Sequence, residues 1–227
     1  MYRMTDGSDP ALRVRRPPET HYFIGLDLGQ SQDYTAVCVI AATFRDDGQK
    51  PTYQVGHLER FPLGTPYPDI VRAIVTLTER PELGGDWQLV VDATGVGRPV
   101  VDLLREALGE QRRRVHPLTI TGSGAATAGA FGLRVPKRDL VLTLKVLLES
   151  KRLEFAGRLP ETATLIRETL AFQVKITNAA NDTYGAWREG AHDDLVLAVA
   201  LAVWYAERKG RVRAAATSRN PWQVNYS

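Results

Sequence analysis

Hydrophobic and polar positions in the first third of the chain fall into runs that predict strands. Tyr22 to Leu28 is apolar up to Asp27, Tyr34 to Thr43 is a second apolar run, and Thr52 to Phe61 a third, after an Asp46-Asp47-Gly48 turn. Three sequential strands on short links predict an antiparallel meander. The period then changes. Pro66-Tyr67-Pro68 opens a segment in which Ile70, Val71, Ile74, Val75 and Leu77 form one helical stripe up to Pro81, proline being tolerated in a first turn. Trp87 to Val91 is a strand ending in Asp92, and Ala93 to Gly97 turns the chain into a helix marked by Val100, Val101, Leu103, Leu104 and Leu108. With a strand over Val115 to Thr121, this stretch predicts a β-α-β unit with a parallel pair.

Gly122 to Gly132 has no period and predicts a loop that is mobile or folds over something. Val135-Pro136-Lys137-Arg138-Asp139 starts a helix carrying Leu140, Leu144, Leu147 and Leu148, followed by a short segment over Arg152 to Phe155. A further helix runs from Pro160 to about Leu170, and Phe172 to Ile176 is expected to pair with Thr183 to Arg188 across the Asn178 to Asp182 turn. The last helix, from Asp193 to about Arg208, is apolar almost all round, which predicts burial against a sheet. Beyond it the chain reads as frayed, with Trp222 and Tyr226 as candidate anchors for a partner.

Composition narrows the class. At 227 residues, 44% hydrophobic and 24% charged, the chain is long enough for one well-buried domain, expected over residues 21–209 between a flexible arm at 1–20 and a flexible tail at 210–227. Cys38 is the sole cysteine, so no intramolecular disulfide is possible, and its apolar neighbours make it a small buried hydrophobe. No signal-peptide pattern is present, and no apolar run approaches the ~18 residues of a membrane span, which predicts a cytoplasmic protein without a membrane partner. A pI near 9.1 reflects basic clusters at Arg13 to Arg16, Arg112 to Arg114, Arg134 with Lys137 and Arg138, and Arg208 to Arg213. Each cluster read alone is a solvated face; together they allow a polyanionic partner.

The candidate chemistry lies in the acids. Asp27 leaves the first strand, Asp92 leaves a later strand, and Asp193 and Asp194 open the last helix. Ligands in open α/β sheets collect at the strands' C-terminal edge. Each acid has an ordinary structural role open to it: a turn with Ser31 for Asp27, and helix caps for Asp92 and Asp193. Taken together they predict a crowded carboxylate pocket, which hard, oxygen-preferring Mg2+ or Mn2+ would neutralise. Two such ions about 4 Å apart would clamp the attacking and leaving oxygens of a phosphodiester.

Four motifs in order, GLDLGQSQDYTA, VVDATGVGRPVVDLL, VPKRDLVLTLKVLLESKRLEF and HDDLVLAVALAVWYA, resemble those of the nuclease domain of viral large terminases, the DNA-packaging motors of tailed bacteriophages. The resemblance covers roughly Tyr22 to Arg208. It implies an α/β, RNase H-like mixed sheet with helices on both faces, and a metal-dependent endonuclease that cuts concatemeric double-stranded viral DNA during packaging in the host cytoplasm. Carried over by motif, Asp27, Asp92 and the pair Asp193-Asp194 match the catalytic metal-binding acids, with Asp194 the principal third ligand and Asp193 sharing a metal, and Lys137 and Arg138 are candidates for DNA phosphate contacts, to which the basic cluster adds Arg134. A packaging ATPase, a small terminase and a portal are the implied partners. The sequence lacks a G-x-x-x-x-G-K-[ST] phosphate loop, so the expectation is either an excised nuclease domain or a free-standing relative, unable to translocate DNA alone. The glycine turns at GLDLGQSQDYTA and DATGVG also resemble the phosphate motifs of the actin, sugar-kinase and Hsp70 family, although a second lobe is missing. A catalytically idle DNA-binding or assembly module is the third reading.

Overall fold

The computed structural model describes residues 17–29, 33–45, 47–95, 97–157, 159–169 and 193–218, with 211–218 as backbone only. Three strands, β1 (Glu19–Asp27), β2 (Ala36–Phe44) and β3 (Thr52–Arg60), form the expected antiparallel meander. Helix α1 (Tyr67–Thr78) leads to β4 (Trp87–Asp92), which pairs parallel to β1 from Tyr22↔Trp87 to Leu26↔Val91. Helix α2 (Gly97–Ala107) crosses to β5 (Val115–Thr121), parallel to β4. Then come β6 (Thr127–Gly129), β7 (Gly132–Pro136), α3 (Lys137–Glu149), β8 (Leu153–Phe155), a helix α4 over residues 162–169, and α5 (Asp194–Ser218). Among the described residues the sheet has eight strands in the order β6-β7-β5-β4-β1-β2-β3-β8.

Two apolar layers sandwich the sheet, as alternation along β1 requires. Ile24 and Leu26 pack with α1 and α2 through Ile70, Ile74, Val101 and Leu104. Phe23 faces the other way, into a core with α3 and α5. Burying a Val or Leu side chain is worth about 1.5–3 kcal/mol, and α5 keeps Leu195 to Ala206 buried without interruption, so it acts as the sheet's main cover. Among the described residues no helix is long and apolar enough to cross a membrane.

Three expectations need correction. The segment Gly122 to Gly132 is not all loop: Thr127–Gly129 pairs antiparallel with β7, and β7 pairs parallel with β5. The residues of β6 are all exposed, so no alternation marked it. Val135 and Pro136 end β7, and the helix starts only at Lys137, because Pro136 holds extended backbone at its cap. Helix α5 does not stop near Arg208 but continues to Ser218. The expected pairing of Phe172–Ile176 with Thr183–Arg188, the contact of Asp27 with Ser31, and the anchors Trp222 and Tyr226 lie outside the described residues.

One glycine sets the distance between sheet and helix. A Cβ at Gly25 would stand 1.9 Å from the carbonyl oxygen of Ala198 and 3.1 Å from the Ala202 Cβ, so α5 rests on bare backbone there. Along the same face of β1, Phe23 meets Tyr205 at a ring separation of 6.2 Å. Hence α5 runs antiparallel to β1, and its first residue, Asp194, lies toward Asp27. Gly25→Val is expected to destabilise the protein by about 3 kcal/mol or more, because the clash is with backbone that cannot move aside. Gly56, whose added Cβ would meet nothing within 4 Å, supplies the control Gly56→Ala, expected within about 0.5 kcal/mol of the parent. Urea unfolding compares the two; equal midpoints would contradict this account of the packing.

Candidate active site

The acids are delivered by chain ends. Asp27 is the last residue of β1 and Asp92 the last of β4, and these strands are parallel neighbours, so both carboxylates leave the same edge. The turn after Asp27 is held from both sides: Gly29 N–H donates to Thr35 Oγ1 at 3.1 Å, and the Tyr67 hydroxyl donates to the Gly29 carbonyl at 3.0 Å. Asp92 Oδ1 accepts the Thr94 N–H at 2.8 Å, and Gly97, whose added Cβ would lie 2.2 Å from the Asp92 carbonyl oxygen, lets α2 start hard against the strand end. Asp193 precedes α5, where its carbonyl accepts the Leu197 N–H at 2.8 Å, and Asp194 is the first helical residue.

Electrostatics join these four. Asp27 is 7% exposed and Asp194 6%. Burial, first, and then the charges of Asp92, Asp194 and Asp193 raise the Asp27 carboxyl well above the ordinary carboxylate range, against the opposing pull of Lys137. Lys137, the first residue of α3, donates to Asp193 Oδ2 at 3.0 Å. The structure thus brings Lys137 into the acidic cluster, whereas Arg134 lies on β7 and Arg138 stands exposed, its Nε 3.7 Å from Asp139 Oδ1.

A buried clamp that the sequence did not reveal supports Asp194. Arg60, the last residue of β3, bonds Glu168 Oε1 through Nη2 and stands 3.4 Å from Asp194 Oδ2. Its guanidinium lies 4.6 Å from the centroid of the Tyr34 ring. The other oxygen of Glu168 accepts the N–H groups of Leu195 and Val196 at 3.1 and 3.3 Å, so a residue of α4 caps α5. Burial pushes Glu168 up to about 7, while Arg60 and the two amides pull it down and Asp194 adds to the rise. Neither residue belongs to a motif; the one available signal was a charged residue at the end of an otherwise half-buried strand.

The donor set is all carboxylate oxygen, which suits a hard divalent cation. Proximity and ligation differ here, however. Asp27 senses the charge of the other three acids, yet among the described residues no three His, Cys, Asp or Glu side chains are grouped closely enough to grip an ion as they stand. Asp193 pairs with Lys137 and Asp194 stands beside Arg60, so two of the carboxylates face cations of the chain. The backbone ends fix where the acids are.

This RNase H-like α/β architecture, with acids at the ends of its first and fourth strands and of its last helix, defines the class. The chain belongs to the terminase RNaseH-like domain family, whose sequence profile matches residues 24–206. The actin and sugar-kinase resemblance of its glycine turns gives way to that membership. Among solved structures, the large terminase nuclease from the thermophilic phage G20c is similar, with 23% identity, a TM-score of 0.48 and 81% of each chain covered. The human cytomegalovirus terminase nuclease domain, in a manganese-soaked crystal, is similar at 14% identity and a TM-score of 0.47, covering 86% of this chain and 87% of that one. No curated protein matches the chain.

Two outcomes check the electrostatics. An acid whose folded pKa is raised costs nothing below its unfolded pKa, and costs progressively more as pH rises toward its folded value. In chelator, Asp27→Asn is therefore expected to melt above the parent at pH 7, with the gap closing as pH falls toward 4; a lower melting point at pH 7 would contradict the shift. Arg60→Ala strands two buried carboxylates and is expected to cost about 3–5 kcal/mol in urea unfolding, far more than an exposed arginine.

Proposed function

We propose that this chain is the nuclease of a DNA-packaging terminase, an endonuclease that hydrolyses double-stranded DNA with Mg2+ or Mn2+ as its cofactor, through a two-ion site. The observation that carries the proposal is the convergence of Asp27, Asp92, Asp193 and Asp194 on one sheet edge, where burial, and then the other three acids, raise the Asp27 carboxyl. Membership of the terminase family supports the DNA substrate and the packaging context, in which a packaging ATPase, a small terminase and a portal are the expected partners.

In this reading Asp27, Asp92 and Asp194 hold the ions, with Asp193 completing the set once Lys137 releases it. Ions held there would supply Lewis acidity at the phosphodiester, for activating a water and offsetting charge on the leaving oxygen. Everything else is the work of the chain. The strand ends and the capped start of α5 fix the backbone positions from which the carboxylates would turn toward a shared ion. In this reading Lys137, which pairs with Asp193, would meet a phosphate oxygen, and Arg134 and Arg138 from the same stretch of chain would add further phosphate contacts. We assign the catalytic domain to residues 21–209.

Plasmid nicking tests this. Cleavage is expected with Mg2+ or Mn2+, none in chelator, and a loss of about 100-fold or more for each of Asp27→Asn, Asp92→Asn and Asp194→Asn while the fold survives. Each amide keeps the size of the carboxylate and removes the charge. Cleavage that persists in chelator or in Asp27→Asn would overturn the mechanism, and a folded, DNA-binding protein that never cuts would make it an assembly module.

A further inference from the structure

At the end of the molecule away from the acids lies a second charged feature. A cleft of about 780 Å³ is lined by Arg105, Arg112, Arg113, Arg208 and Lys209, and among the described residues no carboxylate lines it. The five cations come from separate parts of the chain: α2, the 3-10 turn over Gly109–Arg114, and α5. Since α2 and α5 cover opposite faces of the sheet, the cleft wraps the sheet's end at the start of β5, where Val115, His116 and Pro117 form part of its wall. Asp194 and Lys209 are fifteen positions apart on one helix, which places the cleft about 22 Å along α5 from the acidic cluster.

The floor is neutral and flat. His116 stacks on Tyr205 with ring centroids 4.6 Å apart and planes 23° apart, and His116 Nε2 lies 2.6 Å from Gln88 Oε1. Burial, with Lys209 and Arg105 nearby, lowers His116 to about 4, so it adds no charge at neutral pH. Lys209 leans over the Tyr205 ring at 5.7 Å and Arg105 over Phe131 at 5.5 Å, which holds the rim cations around the floor. Folding has brought together like charges from three elements, and their mutual repulsion is relieved by an anion with several charges close together.

We propose that this cleft is a second DNA-binding site, gripping the phosphodiester backbone at a distance from the acidic cluster. Four of the five cations are arginines, whose planar forks match phosphate oxygens. A duplex presents a charge about every 1.7 Å of its axis, so one short segment satisfies several rim cations at once, whereas a peptide needs an unbroken run of acids to do the same. A flat aromatic and apolar floor between cations suits sugar and base edges. The identity of the polyanion rests on the DNA reading of the family fold; the existence of a polyanion site does not.

The test is duplex binding in chelator, where cutting plays no part. Fluorescence anisotropy with a 30-base-pair duplex compares the parent with Arg112→Glu/Arg113→Glu, with Arg208→Gln/Lys209→Gln, and with Arg72→Gln, an exposed arginine on α1, as the control. Each cleft pair is expected to weaken binding at least about tenfold and to lower the slope of log affinity against log salt by close to 2, while Arg72→Gln changes neither. Melting points should stay with the parent, because all four side chains are exposed; if one pair melts early, the other carries the test. Unchanged affinity and slope in both pairs would overturn the proposal, as would a poly-glutamate peptide that binds the parent more tightly than the duplex does. Binding lost in the cleft pairs while every preparation fails to nick plasmid would keep this site and reject the nuclease reading.

Discussion

The seating of α5 on β1 is the constraint on which the rest depends. Gly25 removes the side chain that would keep them apart, and the Ala198 carbonyl occupies the space. Because the strand and helix lie in direct backbone contact, the end of one and the start of the other are held at a fixed offset, and both of those positions are aspartates. Charge alone would drive Asp27 and Asp194 apart. Apolar burial along α5, from Leu195 to Ala206, provides the opposing force.

The clamp of Arg60 and Glu168 refines that seating. A buried ion pair is a poor source of net stability, but it is a good way of fixing geometry when its remaining oxygens are satisfied. Here Glu168 answers two free amides of α5 while Arg60 is shared between Glu168 and Asp194. The last strand of the meander, the helix before α5 and the start of α5 are thereby tied at one point. Lys137 plays the matching part for α3 by pairing with Asp193. Two cations of the chain, Arg60 and Lys137, therefore offset part of the acidic charge at this edge.

Much of this was legible in the sequence because burial writes itself in periods. Three apolar runs on short links mark the meander, the apolar run before Asp92 marks β4, and the unbroken apolar stretch after Asp194 marks a covered helix; acids at the ends of such runs stand out because nothing else polar competes with them. What was hidden had no period to betray it. Strand β6 is exposed throughout and reads as loop, Pro136 can end a strand as readily as it can begin a helix, and α5 continues past Arg208 through basic and alanine-rich residues that carry no apolar stripe. The Arg60–Glu168 pair spans 108 positions of sequence and depends on where α4 is packed, which local reasoning does not reach. Lys137 was read as a phosphate contact on a helix beside the site; its pairing with Asp193 shows that it also balances the acids.

The central claim is that the carboxylates at this edge share divalent ions once they leave their internal cations. A manganese soak of a crystal, read by anomalous scattering, measures this directly. Anomalous peaks bonded to Asp27, Asp92 and Asp194, with Asp194 turned away from Arg60, are the predicted result. Asp194 still paired with Arg60, and no peak at this edge in a crystal that takes up manganese elsewhere, would contradict it.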